Sequence, residues 1–351
     1  MKIETQLPLG NLDPGLRAAA GGLDLARVGE EAQFAEVLGY DGIVTEETKD
    51  DPFIVLALAA QATERIGLAT GVAIAFPRAP AVTALAAWTL QRLSKGRFTL
   101  GLGSQVKGHI ERRYGMNWTP PGPWMRDYVG ALRAIWECWQ NGGTKLDYES
   151  AHYKLSLMVP LFAPPPIEHP HIRVQLAAVN PFMCQIAGEV AEGIRAHPVC
   201  TPGYIRDVML PAARKGAAKV GRDFAEFEIA AMPLVATAPD RAGLEARVRD
   251  VRARIAFYAS TPTYLIAFES QGHGEIARSL QGYSRAQRWE EMPGFISDEM
   301  LDHYAVIGTH DEIASKLDAR FAGVASHLEF AIPIGGEADK ATLGELLKSL
   351  R

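Results

Sequence analysis

The sequence predicts a single-domain α/β protein, a (β/α)8 or TIM barrel, on three observations. Short apolar strands alternate with amphipathic helices of about ten to fifteen residues, which implies a parallel sheet because tight hairpins cannot join parallel neighbours. Eight such alternations favour a closed barrel over an open sheet. The 351 residues, 48% of them hydrophobic, are enough to bury one large core.

The first half of the chain supplies four predicted strands and three predicted helices. Residues 2–7 alternate polar and apolar side chains, which is typical of a strand. A loop containing Gly and Pro follows, and apolar residues then recur at helical spacing as far as Leu38, with Gly39 at the position of a helix C-cap. The strands are predicted at 2–7, 42–45, 66–75 and 98–102, and the helices at 25–38, 52–62 and 79–93.

The second half repeats the pattern with two interruptions. Four further strands are predicted at 173–177, 193–196, 228–236 and 327–332, and helices at 123–139, 181–190, 204–220, 243–258 and 311–321. Residues 144–170, read as a small hairpin and a Pro-rich loop, and residues 261–297 do not fit a minimal barrel. Both are expected to be insertions near the site, at the carboxyl face of the barrel.

Charge and composition favour small-molecule chemistry. A net charge of −5 provides no basic field for nucleic acid or an anionic membrane. No run of about 18 apolar residues and no signal-like N-terminus occurs, so neither export nor membrane spanning is expected. The three cysteines form no disulfide framework and no CxxC motif, which fits a reducing cytoplasm.

Motifs for metal-dependent or covalent hydrolysis are missing from the sequence. There is no HExxH, and the pair His169 and His171 falls in a Pro-rich loop, which disfavours a zinc hydrolase. No GxSxG is present either. Glu46 and Glu47 end the second strand and could act as base and acid if burial separated their pKa values. Consecutive residues in an extended segment face opposite ways, so one of the two is expected to point inward.

The fourth strand ends in Gly101-Leu102-Gly103, which resembles a phosphate-binding turn. The third glycine of a GxGxxG motif would fall at Val106, so a Rossmann site is not predicted. In a barrel, however, ligands bind at the carboxyl ends of the strands, which makes Ser104 and Gln105 candidate contacts. The alternative is a strand end where glycine serves the backbone alone.

Cationic groups follow this strand directly. Lys107, Arg112 and Arg113 could neutralise a phosphate or a carboxylate tail, because guanidinium and ammonium groups pair with such oxygens. The alternative is a solvated helix face.

The fifth strand leads into a helix through Ala178, Val179 and Asn180, followed by Pro181. Asn180 is at an N-cap position and Pro181 at the first helical position. Free N–H groups at a helix start can bind an anion such as phosphate. Ordinary helix capping explains the same residues.

Several segments resemble the luciferase-like monooxygenases, the family of bacterial luciferase and the coenzyme F420-dependent oxidoreductases. Residues 71–80 and 93–103 resemble the third and fourth strand regions, and 189–193 and 304–309 resemble the junctions before the sixth strand and the last helix. Residues 105–107 and 110–116 are most similar to the actinobacterial branch that uses the deazaflavin coenzyme F420. The resemblance spans nearly the whole chain.

This resemblance implies a cofactor site at the carboxyl end of the barrel. It implies a cis peptide between Gly71 and Val72 behind the isoalloxazine ring, and a cofactor phosphate at Ala178, Val179 and Asn180. Other implied residues near the cofactor are those at the ends of strands two, four and six, namely Glu47, Ser104, His197 and Thr201, with Gln105 and Lys107 as further contacts.

The sequence departs from the well-known deazaflavin dehydrogenases at two positions. Thr48 stands where sugar-phosphate dehydrogenases of the group have a catalytic His, and Ser104 where they have a Glu. Sugar-phosphate oxidation by that mechanism is therefore not expected. Light emission is not expected either, because the reactive cysteine and aldehyde site of luciferase are not recognisable.

The main functional hypothesis is hydride transfer between the deazaflavin coenzyme and a small organic substrate, with His197 and Glu47 as candidate proton donors. One alternative is a monooxygenase that uses reduced FMN and oxygen. An alternative of another class is a non-catalytic flavin-binding barrel. A cytoplasmic homodimer is expected, paired through helices near strands two and three such as the Ala-rich helix 52–62.

Overall fold

A computed structural model describes residues 1–10 and 23–351. The Gly- and Pro-containing loop predicted after the first strand extends into residues 11–22, which lie outside the described residues. Eight parallel strands form a closed barrel, because the third strand pairs with both the second and the fourth. The barrel strands are β1 Lys2–Gln6, β2 Gly42–Thr45, β3 Gly67–Thr70 with Ala73–Ile74, β4 Phe98–Gly103, β5 Arg173–Ala178, β6 Gly193–Ala196, β7 Glu228–Ala231 and β8 His327–Glu329.

Helices surround this barrel, and local sequence sets several of their ends. Asp51 caps one helix by accepting a hydrogen bond from the Phe53 N–H (2.9 Å), and Pro52 occupies the first helical position. Gly39 ends another in the left-handed conformation, with φ of 101°. The main helices are Val28–Leu38, Pro52–Ala62, Pro80–Leu93, Lys107–Arg112, Pro121–Gln140, Pro181–Val190, Leu210–Lys219, Arg241–Ala259, His310–Phe321 and Glu337–Ser349.

The two irregular stretches have different structures. Residues 144–170 contain an antiparallel hairpin of Tyr148–Glu149 with Lys154–Leu155, followed by the short 3-10 helix Pro160–Phe162. Residues 261–297 are mostly helical. Their elements, with the helix that follows, are Pro262–Tyr264, Leu265–Glu269, Gly274–Arg285, Trp289–Phe295 and Asp298–Tyr304.

The structure corrects three of the predicted elements, and it also shortens the eighth strand, predicted over 327–332, which ends at Glu329. The third strand, predicted as continuous over 66–75, is interrupted at the peptide between Gly71 and Val72. The seventh, predicted over 228–236, ends at Ala231. Pro233 cannot donate to the ladder, and the next segment, Leu234–Ala238, pairs instead with Ala305–Thr309 outside the barrel.

The third correction concerns the helix predicted over 204–220. It begins earlier, at Pro202–Tyr204, and passes through the π-helical turn Ile205–Met209 before Leu210–Lys219. Pro211 has no N–H to donate, which favours such a local change of hydrogen bonding.

The lumen of the barrel is polar and narrow, whereas the layer between barrel and helices is apolar. Large buried side chains such as Trp88, Phe98 and Tyr128 fill the outer layer. Inside, Glu4 and Arg195 meet, and the absence of side chains at Gly71 and Gly101 leaves room for Arg195. Because the apolar core surrounds the barrel, the carboxyl end of the lumen remains available for polar chemistry.

Gly101 lies where β3 and β4 approach each other closely. A Cβ there would lie 1.9 Å from the Thr70 carbonyl oxygen, a backbone atom that cannot turn aside, and the Thr70 hydroxyl donates to the Gly101 carbonyl oxygen at 2.6 Å. We expect Gly101→Ala to lower the free energy of unfolding by about 1 to 3 kcal/mol or more. Denaturant titration measures this value.

The matched control is Gly282→Ala, in the helix Gly274–Arg285, where a Cβ would meet no atom within 4 Å. There alanine should raise stability by about 0.5 to 1 kcal/mol. Equal stabilities of Gly101→Ala and the wild type would contradict the close approach of β3 and β4.

Candidate functional site

An ion pair crosses the lumen just below the mouth, the carboxyl end of the barrel. Arg195 Nη1 lies 3.0 Å from Glu4 Oε2, and Nη2 lies 3.3 Å from Oε1. Burial raises the pKa of Glu4, but the Arg195 guanidinium, together with His327 and Lys2, outweighs burial and brings that pKa below its ordinary value. The pair therefore stays charged and forms the floor of the mouth.

His197, one of the two predicted proton donors, follows β6 at the mouth. Its imidazole packs on Tyr264 and Tyr258, with ring centroids 4.0 and 4.7 Å away. Burial lowers the pKa of His197 to about 3, so the ring is neutral. The Val199 N–H donates to Nδ1 (3.4 Å), which leaves the proton on Nε2. His197 is thus a neutral N–H donor and not an imidazolium.

Glu47, the other predicted donor, is held in an ion pair. Arg78 Nη1 lies 2.5 Å from both carboxylate oxygens, and the Ile74 N–H donates to Oε2 at 2.8 Å. Arg78 also contacts Asp51 at 2.8 Å. These contacts favour the charged carboxylate and tie the end of β2 to the second segment of β3. Glu46 turns away from this pair and accepts a hydrogen bond from Gln6 Nε2 at 3.2 Å.

The peptide between Gly71 and Val72 is cis, as the resemblance implies. Both residues lie at the mouth, between the two segments of β3. A Cβ on Gly71 would lie 2.2 Å from Val44 Cγ1 and 3.7 Å from Arg195 Nη1, which shows that Gly71 faces the lumen.

The end of β4 places Ser104 and Gln105 beside this bulge. Gln105 has a left-handed φ of 54°, and its own Oε1 accepts from the Val106 N–H at 2.9 Å. The Ser104 hydroxyl donates to the Gln105 carbonyl oxygen at 3.2 Å. Since L-residues adopt this φ rarely, the turn is a local feature that the sequence pattern did not predict.

The predicted cations are on the rim and exposed to solvent. Lys107 begins the short helix Lys107–Arg112 and lies 3.7 Å from Glu111. Arg113 stacks over the Tyr114 ring at 5.0 Å. Arg112 Nε donates to the Gly108 carbonyl oxygen at 3.4 Å. The three cations are therefore spread along the rim and do not converge on one point.

The end of β5 forms the predicted helix start. Asn180 Oδ1 accepts from the Met183 N–H at 2.9 Å, so the capping prediction is confirmed. Thr201 caps the helix after β6 in the same way, with the Tyr204 N–H at 3.1 Å. The Tyr204 hydroxyl donates to the Val179 carbonyl oxygen at 2.9 Å, which links the two strand ends. Ala178 is buried beneath this linkage.

Sequence reasoning missed the polar groups inside the barrel. Residues 2–7 read as an ordinary amphipathic strand, yet Glu4 and Gln6 on its polar side point into the lumen. Glu329, on β8, is beside them and was not recognised. The one available signal was a pair of acidic residues in short strands that the barrel pattern predicts to be buried.

Two cavities differ in size and place. One of about 10 Å³ adjoins His197, Met232 and Tyr304 and is too small for a cofactor. The other, about 480 Å³ and apolar, lies on the outside, between Pro80–Leu93, Pro121–Gln140 and the hairpin insertion. Among the described residues, no group of three or more His, Cys, Asp or Glu could hold a metal ion. Within the same residues, no helix is long and apolar enough to cross a membrane.

A closed parallel barrel with its polar groups gathered at the carboxyl mouth defines a (β/α)8 enzyme. The chain belongs to the luciferase-like monooxygenase family, whose model matches residues 9–327. It is therefore an F420- or flavin-dependent oxidoreductase or monooxygenase.

Similar proteins agree with this family. An uncharacterized protein of Mycobacterium tuberculosis is 42% identical over 327 residues, which cover 93% of this chain and 95% of that one. The F420-dependent tetrahydromethanopterin reductase of Methanopyrus kandleri has a similar fold, with a TM-score of 0.76, 19% identity, and coverage of 99% of this chain and 98% of that one. A type II Baeyer-Villiger monooxygenase of Pseudomonas putida, in complex with FMN, gives 0.67 and 16%, with coverage of 100% and 96%.

The buried imidazole predicts a pH dependence of stability. Because the folded pKa of His197, about 3, is below the ordinary value of 6.5, the unfolded chain takes up a proton that the folded protein does not. The wild type should therefore lose stability relative to His197→Gln as pH falls below about 6.5, by at most about 1.4 kcal/mol per pH unit. Urea titrations across this range measure the difference.

The control is the exposed His109, replaced in the same way. Parallel pH profiles for the wild type and His197→Gln would show that the imidazole ionises freely in the folded protein.

Proposed function

We propose that the protein transfers a hydride between a deazaflavin coenzyme of the F420 type and a small organic substrate bound at the mouth of the barrel. The observation that carries this proposal is a neutral N–H donor, His197, opposite a wall of very small side chains. That wall consists of the lumen-facing residues at the ends of β4 and β5, namely Gly103 and Ala177. The flat tricyclic ring of a deazaflavin can lie against such a wall, because no large side chain stands in its way.

The residues present fit a flavin-like group in two further respects. The helix Pro181–Val190 begins at the mouth with Asn180, where N–H groups and the helix dipole suit a phosphate. Gly71, Val72, Ser104 and Gln105 border the wall and would contact the ring side. When bound, a reduced deazaflavin supplies the hydride, and the protein supplies orientation and protons.

His197 is the stronger of the two predicted donors to a bound molecule. Its Nε2–H is neutral and lies at the mouth, so it can donate a hydrogen bond without bringing in a charge. Glu47 accepts hydrogen bonds from Arg78 and the Ile74 N–H, and a carboxylate in that state has no proton to give. We therefore assign Glu47 to positioning the second segment of β3.

The rim cations Lys107, Arg112 and Arg113 favour the deazaflavin over FMN. They are exposed and spread along one edge, which suits an extended anionic tail better than a single phosphate. A reduced-FMN monooxygenase that uses oxygen is the second candidate, supported by the similar fold of the FMN-bound monooxygenase. Binding without turnover would instead support a non-catalytic flavin-binding barrel.

Cofactor titration with matched variants tests this site. The wild type should bind oxidised deazaflavin more tightly than FMN, and Asn180→Asp should weaken binding by about 1 to 4 kcal/mol, because a carboxylate at the helix start repels the phosphate. Asn180→Ser should bind as the wild type does, since Ser also caps. Fluorescence titration gives the affinities.

Thermal melting without cofactor is the control. Both variants should melt at or above the wild-type temperature, because Asp and Ser are good caps and a negative side chain suits the helix start. Equal affinities for the three proteins would remove Asn180 from the site.

We further propose a homodimer formed over the apolar outer groove. Leu85, Leu157, Val159 and Phe162 line this groove and are exposed, with Leu157 at 77% and Phe162 at 72%. Exposed apolar patches of this kind are typical of protein interfaces. The helix Pro52–Ala62, predicted to pair the subunits, packs beside Pro80–Leu93 and exposes Ile54.

Sedimentation of charged variants tests the dimer. The wild type should sediment as a dimer at micromolar concentration, and the double variant Leu157→Asp, Phe162→Asp as a monomer, because each subunit would then bury two charges. Val37→Asp, on the exposed face of Val28–Leu38, should leave the dimer intact. A monomeric wild type would refute the proposal.

A further inference from the structure

Two carboxyl groups lie side by side in the lumen. Glu4 of β1 and Glu329 of β8 are paired residues in neighbouring parallel strands, so their side chains point the same way. Neither the sequence patterns nor the proposed cofactor contacts use Glu329. Glu329 and Glu4 are thus two acidic groups in one enclosed space, where two negative charges would repel each other.

The neighbouring cation serves only one of the two acids. Arg195 donates from both terminal nitrogens to Glu4, at 3.0 and 3.3 Å. Glu329 instead faces the amide of Gln6, which also bonds Glu46 across the mouth. Two carboxylates this close repel each other, so ionising both costs free energy. The ion pair with Arg195 stabilises the charge on Glu4, and the cost therefore falls on Glu329.

Glu329 lies at the level of the reacting groups. Ala196, Ala231 and Leu328 are in register across β6, β7 and β8. The residues that follow these three along the chain are His197, Met232 and Glu329, which therefore form one row at the mouth. Glu329 is enclosed by protein on its sides yet partly accessible to solvent.

Burial and four neighbouring side chains set the pKa of Glu329. Burial raises the pKa of Glu329, and the charges of Glu4 and Glu46 raise it further, while Arg195 and the Gln6 amide oppose them. The result is a pKa of about 8. On its own strand, His327 lies 2.9 Å from the Ser326 hydroxyl through Nδ1, and burial lowers the pKa of that imidazole, while the charges of Glu4 and Glu228 oppose this.

We propose that Glu329 is a carboxylic acid that keeps its proton in the folded protein and presents it to the molecule bound at the mouth. The assignment rests on the proposed function, to which it adds a second proton donor beside His197. Both donors are neutral, and the cation at this level is committed to Glu4. The site then suits an uncharged substrate with an acceptor atom, such as a carbonyl oxygen.

The proton balance of such a step is simple. In carbonyl reduction, a bound reduced deazaflavin, as its anion, would supply the hydride to the carbon, and Glu329 would supply the proton to the oxygen. The products are an alcohol, the oxidised coenzyme and a Glu329 carboxylate. Because Glu329 is partly accessible at the mouth, solvent can return the proton to it.

Infrared spectroscopy of the cofactor-free protein tests the protonation directly. The wild type should show the carbonyl stretch of a protonated carboxylic acid that disappears with a midpoint near pH 8, and Glu329→Gln should lack this band. The control Glu245→Gln, on the exposed face of Arg241–Ala259, should keep it. Loss of the band by about pH 6 in the wild type, or its persistence in Glu329→Gln, would overturn the proposal.

Stability provides a second readout without cofactor. The folded pKa of Glu329, about 8, exceeds the ordinary value of 4.5, so the folded protein binds the proton more tightly than the unfolded chain between these values. The wild type should lose stability relative to Glu329→Gln as pH rises through this window, with the ratio of unfolding constants changing by up to about tenfold per pH unit. A constant ratio would contradict a retained proton.

Activity separates this inference from the proposed function. With reduced deazaflavin and a panel of uncharged ketones and their carboxylated counterparts, the wild type should turn over only the uncharged compounds. Glu329→Gln should lose about 10²- to 10⁴-fold in kcat, with cofactor affinity unchanged. Unchanged kcat would overturn the donor role. A wild type that binds no deazaflavin would refute the proposed function, while the infrared result would still decide the protonation of Glu329.

Discussion

The ion pair between Glu4 and Arg195 is the interaction on which the rest of the mouth depends. Two charges removed from water are costly unless they meet with good geometry, and here both terminal nitrogens of Arg195 reach the carboxylate. Room for this pair comes from Gly71 and Gly101, whose missing side chains would otherwise approach the guanidinium. The pair joins β1 to β6 across the lumen and sets the charge that every group above it experiences.

The ionisable groups of the mouth differ in charge because their neighbours differ. Glu4 has the Arg195 guanidinium and stays ionised, and Glu47 is paired with Arg78, whereas His197 has only rings and apolar neighbours and stays neutral. Glu329 has a like charge beside it and keeps its proton more readily than an ordinary glutamate. Groups of similar intrinsic acidity can therefore take different roles within one site.

The closed barrel positions these groups through its backbone. The functional residues lie in barrel strands or directly after them, so closing the barrel brings together residues that are far apart in sequence, such as Glu47, Ser104 and His197. Tyr204, bonded to the Val179 carbonyl oxygen, then fixes the end of β5 against the helix that follows β6. The insertion over residues 261–297 adds Tyr264, which packs on His197.

The sequence by itself determined the barrel, most element positions, the Asn180 cap and the family, because alternation, caps and motifs are local patterns. It did not determine that β7 ends before Pro233, nor that the polar side of β1 is buried. Only the tertiary structure decided which group each carboxyl group meets, since the partners come from distant parts of the chain: Arg78 for Glu47, Arg195 for Glu4, and Glu4 for Glu329. Protonation states follow from three-dimensional neighbours, and no local pattern encodes them.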